Sequence, residues 1–142
     1  MARVDWAIPC RYAEENGGLA TIVGAGIDRL YVSELPGQVG VLIALRIVLR
    51  EDELGHEHEI AFTLYDPTMA EVAHLDGHFS AEAHPAKEPG WETGMITPTA
   101  HNFAVTEYGT YSLEVLIDGH SEKTIPLLIR EPQATPQPDA SP

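Results

Sequence analysis

Apolar residues recur at every second position over several stretches of the chain, and no segment keeps a helical period of about 3.6 residues through three turns. Alternation of this kind marks strands with one buried face. Its clearest instance sets Val41, Ile43, Leu45, Ile47 and Leu49 on one side, with Ala44, Arg46 and Arg50 on the other. After a polar tip from Glu51 to His58, the alternation resumes with Ile60, Phe62 and Leu64 inward and Glu59, Ala61, Thr63 and Tyr65 outward, and Asp66-Pro67 ends it. The two strands are expected to form a hairpin.

Toward the amino end, Trp6, Ile8, Cys10 and Tyr12 alternate with Asp5, Ala7, Pro9 and Arg11. Pro9 has no N–H to give a ladder, so this is an edge strand with Trp6 and Cys10 in the core. Asn16-Gly17-Gly18 reverses the chain into Leu19-Ala20-Thr21-Ile22-Val23; Gly24-Ala25-Gly26 then supplies a bulge or bend, and Leu30-Tyr31-Val32 continues the strand. At the carboxyl end Tyr111, Leu113, Val115 and Ile117 share a face. Asp118-Gly119 turns the chain, and Ile125, Leu127 and Ile129 return to the same core while Pro126 points outward.

The middle of the chain is less regular. Thr68 to Ala81 holds a strand, with a helical turn near Met69–Val72 as an option, and Glu82 to Pro98, rich in Pro, Gly and small residues around Trp91, is a long ordered loop. About seven or eight strands with turns between them predict an all-β fold, a two-sheet antiparallel β-sandwich of immunoglobulin-like architecture. It forms one domain over residues 1–130. Residues 131–142 carry Pro132, Pro136, Pro138 and Pro142 among small polar residues and form a flexible Pro-rich tail.

With 142 residues and 44% apolar side chains, the chain buries enough surface for a core without metals or disulfides. Cys10 is the only cysteine, so thiolate zinc clusters and intrachain disulfides are excluded. Against 22 Asp and Glu stand 8 Lys and Arg, a formal charge of −14, which argues against nucleic acid and anionic membranes as partners. Neither a secretory signal nor a run of roughly 20 apolar residues is present, so the protein is expected in the cytoplasm, or in a virion if phage-encoded.

Two segments bear on family: Ala13-Glu14-Glu15-Asn16-Gly17-Gly18-Leu19 leading to Ile22-Val23-Gly24-Ala25-Gly26-Ile27-Asp28, and Gly109-Thr110-Tyr111-Ser112-Leu113-Glu114-Val115-Leu116-Ile117-Asp118-Gly119. Through them the chain resembles a family of uncharacterised small bacterial and phage-encoded proteins with a β-sandwich fold. The resemblance spans most of residues 5–130. It implies no reaction and no ligand, so no functional residue is carried over.

Candidate chemistry starts from the seven histidines. In an extended Gly55-His56-Glu57-His58-Glu59, His56 and His58 fall on one face and are candidate ligands for zinc, nickel or copper; a solvated tip that discourages aggregation is the plainer alternative. His74, His78 and His84 with Asp76 match no tight ligand template, and His101 and His120 stand alone. Gly24-Ala25-Gly26 lacks the third glycine and βαβ context of a dinucleotide loop. Glu14-Glu15 point to opposite faces of a strand, and Glu51-Asp52-Glu53 lacks the alternating spacing of a calcium loop. With no Gly-x-Ser-x-Gly and a buried Cys10, no nucleophile is visible. Trp91, after Pro89-Gly90, is a candidate partner-binding anchor unless it folds over the open end of the sandwich.

These features predict no enzyme and no cofactor. The expected function is a non-catalytic module for protein interaction or self-assembly, with a protein partner or a homo-oligomer. The alternative is a small metal- or ligand-binding protein that uses the His-x-His tip.

Overall fold

The computed structural model describes residues 1–83 and 88–133. The sequence expectations for His84 and for the tail beyond residue 133 lie outside them. The described residues form ten strands: β1 (Arg3–Cys10), β2 (Tyr12–Asn16), β3 (Leu19–Val23), β4 (Arg29–Tyr31), β5 (Gly37–Leu49), β6 (His58–Tyr65), β7 (Glu71–Phe79), β8 (Thr93–Val105), β9 (Gly109–Ile117) and β10 (His120–Arg130). They make a three-stranded sheet in the order β1-β5-β8, a five-stranded sheet in the order β4-β10-β9-β6-β7, and the separate hairpin β2-β3. None of the described helices is long and apolar enough to cross a membrane.

The all-β expectation holds, with one parallel pairing in it: β4 runs parallel to β10, so the five-stranded sheet is mixed. Its remaining pairs are antiparallel. The predicted inward residues Val41, Ile43, Leu45, Ile47 and Leu49 meet Phe62, Leu64, Leu113, Val115, Ile117, Ile125, Leu127 and Ile129 in one apolar core shared by both large sheets. Each of these strands alternates because only one of its faces looks into that core.

Several expectations are corrected. β5 and β6 do not form a hairpin: β5 pairs with β1 and β8, β6 with β7 and β9, and the tip between them carries the chain from one sheet to the other. A single turn of 3-10 helix, Glu51–Glu53, makes the crossing, with Glu53 Oε1 accepting the Arg50 N–H at 2.9 Å. Buried central strands need a neighbour on each side, and here sequence neighbours do not supply both. The region assigned to a long loop ends early, because Thr93 already begins the 13-residue β8. No helical turn forms near Met69, whose φ of 68° instead closes the turn into β7. Leu30 and Tyr31 belong to a short strand of their own rather than continuing β3.

β1 is an edge strand, as Pro9 predicts, but its faces are exchanged. A bulge between Val4 and Trp6 shifts the phase; Val4 and Ala7 face the shared core, whereas Trp6, Ile8 and Cys10 pair with Arg46, Ala44 and Leu42 on the opposite face. That outer face is apolar too. β2 touches both β5 and β8 there, so the β2-β3 hairpin folds back across it. Gly17 and Gly18, both at positive φ, supply the reversal.

Candidate functional site

The two predicted metal ligands part company. His56 is exposed at the crossing, while His58 opens β6 and is buried, 8% exposed. Its Nδ1 lies 2.8 Å from Asp118 Oδ2 and its Nε2 lies 2.8 Å from the Glu53 carbonyl oxygen, and Phe79 stacks on the ring at 5.4 Å. Both acceptors lack protons, so both ring nitrogens donate, and no lone pair is left for a metal. The backbone bond to Glu53 and the bond to Asp118 hold its pKa above the usual value, against the pull of burial. Among the described residues, no three His, Cys, Asp or Glu side chains gather as a metal group.

His74, Asp76 and His78 occupy one face of β7 at alternate positions, opposite Thr63, Ala61 and Glu59 of β6. His74 Nδ1 meets the Thr63 hydroxyl at 3.0 Å, and His78 Nδ1 lies 3.4 Å from Glu57 Oε1. His120 is exposed at the start of β10. Trp91 does not fold over the core; it stands 71% exposed beside Arg50, Glu51, Asp52 and Glu92 in the loop that joins β7 to β8. Gly90, at a φ of 82°, turns the chain just before it.

Sequence reasoning missed the concave surface formed by β7 and β8. These are edge strands of different sheets, and between them runs a groove of about 360 Å³. Phe62, Leu64, Leu75 and Phe103 make its apolar wall, and His101 is its buried polar member. The Thr99 hydroxyl donates to the Ile43 carbonyl at 3.1 Å and therefore accepts from His101 Nε2 at 2.8 Å. Burial pushes the His101 pKa down, so the ring is neutral at pH 7, with Nδ1 left as an acceptor. The ring of Phe62 meets that imidazole edge-on at 4.5 Å. The alternation of His101, Phe103 and Val105 was the available signal, and it becomes legible once β8 is known to be a strand.

β7 carries this surface outward. Among the described residues its outer edge has no strand neighbour, and both Leu75, 55% exposed, and Val72, 46% exposed, stand on it. A larger hollow of about 660 Å³ lies past the end of β1, where Arg11, Arg29, Tyr31 and Asn102 line it. It opens broadly to solvent, and Arg29 on its wall has Asp28 at 3.9 Å.

No curated protein matches the chain. A sequence profile for a family of unknown function, DUF6941, matches residues 5–130, which takes in the β2-β3 hairpin, both large sheets and the groove between β7 and β8. By that match the chain belongs to the DUF6941 family.

Proposed function

We propose that the chain is a non-catalytic interaction module, an immunoglobulin-like β-sandwich whose open side between β7 and β8 receives an extended segment of a protein partner. One observation carries this reading: β7 is a nine-residue strand whose outer edge no described strand pairs with, and its inward face opens onto an apolar groove. The unpaired backbone groups of such an edge give an incoming strand its affinity, and the groove selects its side chains. Trp91, in the loop joining the two edge strands, adds an aromatic anchor.

Charge narrows the partner. With a formal charge of −14, a neutral or basic contact patch associates fastest, and for such a partner the rate falls as salt rises. The alternative, a metal site at His56 and His58, has less support because both His58 nitrogens are occupied.

A photo-crosslinking residue at position 75, compared with one at Leu19 on the distant β2-β3 hairpin, tests the docking side. Crosslinks concentrated at position 75 are expected. Equal capture at both positions, or capture at Leu19 alone, overturns the reading.

A further inference from the structure

Edge strands are hazards that proteins commonly blunt with proline, lysine or an inward-pointing charge. Here β1 carries Pro9, β8 carries Pro98, and Pro126 lies in the stretch of β10 that β4 leaves uncovered. β2, β3 and β4 are five residues or shorter. β7 has none of these devices: its sequence Glu71-Val72-Ala73-His74-Leu75-Asp76-Gly77-His78-Phe79 contains no proline and no lysine, and its inward positions are Ala73, Leu75, Gly77 and Phe79. Among the described residues it is the one long edge without such a device.

We propose that the occupant of this edge is a second copy of the chain, with the two β7 strands paired antiparallel about a two-fold axis through Leu75. The proposal rests on the docking reading above and names its partner. A two-fold axis normal to the sheet pairs residues of like parity, so inward side chains stay inward across the joint. Centred on Leu75, the register sets Leu75 against Leu75 of the second copy, Ala73 against its Gly77, and His74 against its Asp76, each unlike pair occurring twice. Moving the axis to His74 opposes two imidazoles and puts Val72 against a carboxylate. Moving it to Asp76 opposes two carboxylates. Of these three registers, only the one centred on Leu75 joins apolar to apolar and imidazole to carboxylate.

Local geometry favours the same arrangement. Thr63 Oγ1 at 3.0 Å and Glu71 Oε1 at 3.9 Å both lie on the Nδ1 side of His74, and in the tautomer or charge state with a proton on Nε2 that N–H is a donor for Asp76 of the second copy. The turn leading into β7 is already fixed, because Asp66 Oδ1 accepts from the Thr68 N–H at 2.8 Å, the Thr68 hydroxyl at 2.6 Å and the Ala70 N–H at 3.0 Å. A pre-set edge gives up less entropy on pairing. The bulge at Leu64/Tyr65 ends the regular register before Ala73, which limits the joint to a short ladder. Such a small interface belongs to the weak end of the range, below about 1,200 Å². The dimer therefore forms as concentration rises, and salt strengthens it by screening two copies that each carry −14. That salt response is opposite in sign to the one expected for a basic partner.

Cysteine scanning tests the register directly, since the native Cys10 is buried and all the new positions lie on β7. Under mild oxidation, Leu75→Cys is expected to give a disulfide-linked dimer, because directly opposed residues lie within bridging distance. Ala73→Cys and Gly77→Cys each give no disulfide-linked dimer alone but cross-link when mixed; a side chain at Gly77 meets nothing within 4 Å, so the variant folds. Sedimentation of the untouched protein should show a dimer growing with concentration and with salt. A monomer under all conditions, or Ala73→Cys cross-linking alone as fast as Leu75→Cys, overturns the self-pairing. In that event, photo-crosslinks from position 75 to a different protein leave the docking reading intact, whereas their absence removes both.

Discussion

The His58 imidazole donates from Nδ1 to Asp118 Oδ2 at 2.8 Å and ties the start of β6 to the turn between β9 and β10. Asp118 completes the tie by accepting the Glu59 N–H on Oδ1 at 2.9 Å, and its own N–H donates to the Glu59 carbonyl. Glu53, whose carbonyl takes the other His58 proton, also holds the Met1 amino group at 3.0 Å. The residue that sequence spacing marks as a metal ligand thus joins the sheet crossing, β6 and the last hairpin as a buried imidazolium.

Stability should peak near pH 6.5. His58 has its pKa raised above 6.5 by the Glu53 carbonyl and Asp118, so its contribution is full below pH 6.5 and disappears as pH rises through the folded value. His101 has its pKa lowered by burial, so its contribution is full above 6.5 and disappears as pH falls through its folded value. Glu53 and Asp118 act at lower pH. For each, burial raises the pKa but hydrogen bonds and nearby cations lower it further; their support is present above 4.5 and 3.8 and is lost in acid. Thermal midpoints across pH check this. His58→Gln should flatten the alkaline limb, His101→Gln the limb just below 6.5, and a wild-type midpoint that climbs steadily from about pH 6 to about pH 8 contradicts it.

Cys10 should resist alkylation in the native state. It is 1% exposed on the outer face of the three-stranded sheet, where the chain turns into β2, and burial pushes its thiol pKa up. Thiolate is the reactive form, so both access and ionisation are suppressed. Iodoacetamide is expected to modify native protein more than about a hundredfold more slowly than unfolded protein, since reaction waits for local opening. Equal rates mean that the β2-β3 hairpin does not protect this face.

That face also marks where the sequence stops being legible. Alternation gave the inward residues of β5, β6, β9 and β10 because those strands have one core face, and Asn16-Gly17-Gly18 and Asp118-Gly119 announced two hairpins through their backbone demands. Alternation names a face, however, and not a neighbour. The polar tip after Leu49 looks alike whether the chain turns back or crosses to another sheet, so the pairing of β5 with β8 was invisible. In β1 both faces are apolar, and the bulge beside Asp5 reverses the phase between Val4 and Trp6. β8 hid because its inward positions include Thr97, Thr99 and His101, and that lost strand concealed the groove. For Trp91 the sequence left two states open, an exposed anchor or a cap over the open end, and the side chain stands exposed.

Gly109→Ala should destabilise the fold by about 1–3 kcal/mol. Gly109 starts β9 at a φ of 135°, a backbone region that disfavours any Cβ, and an added Cβ would lie 2.8 Å from Pro67 Cγ. Strain and contact therefore act together, and they act where the turn before β7 rests on the first residue of β9. Gly77→Ala is the control: its φ is ordinary and nothing lies within 4 Å, so it should change stability by less than about 0.5 kcal/mol. Urea unfolding with an unchanged slope measures both. A double-mutant cycle isolates one part, because Pro67→Ala removes the 2.8 Å approach of Cγ and leaves both φ and the 3.1 Å approach of Cβ in place. Partial recovery of Gly109→Ala in that background assigns the recovered fraction to Pro67 Cγ and the remainder to the backbone with the Cβ contact, whereas no recovery means that Cγ plays no part in requiring glycine here.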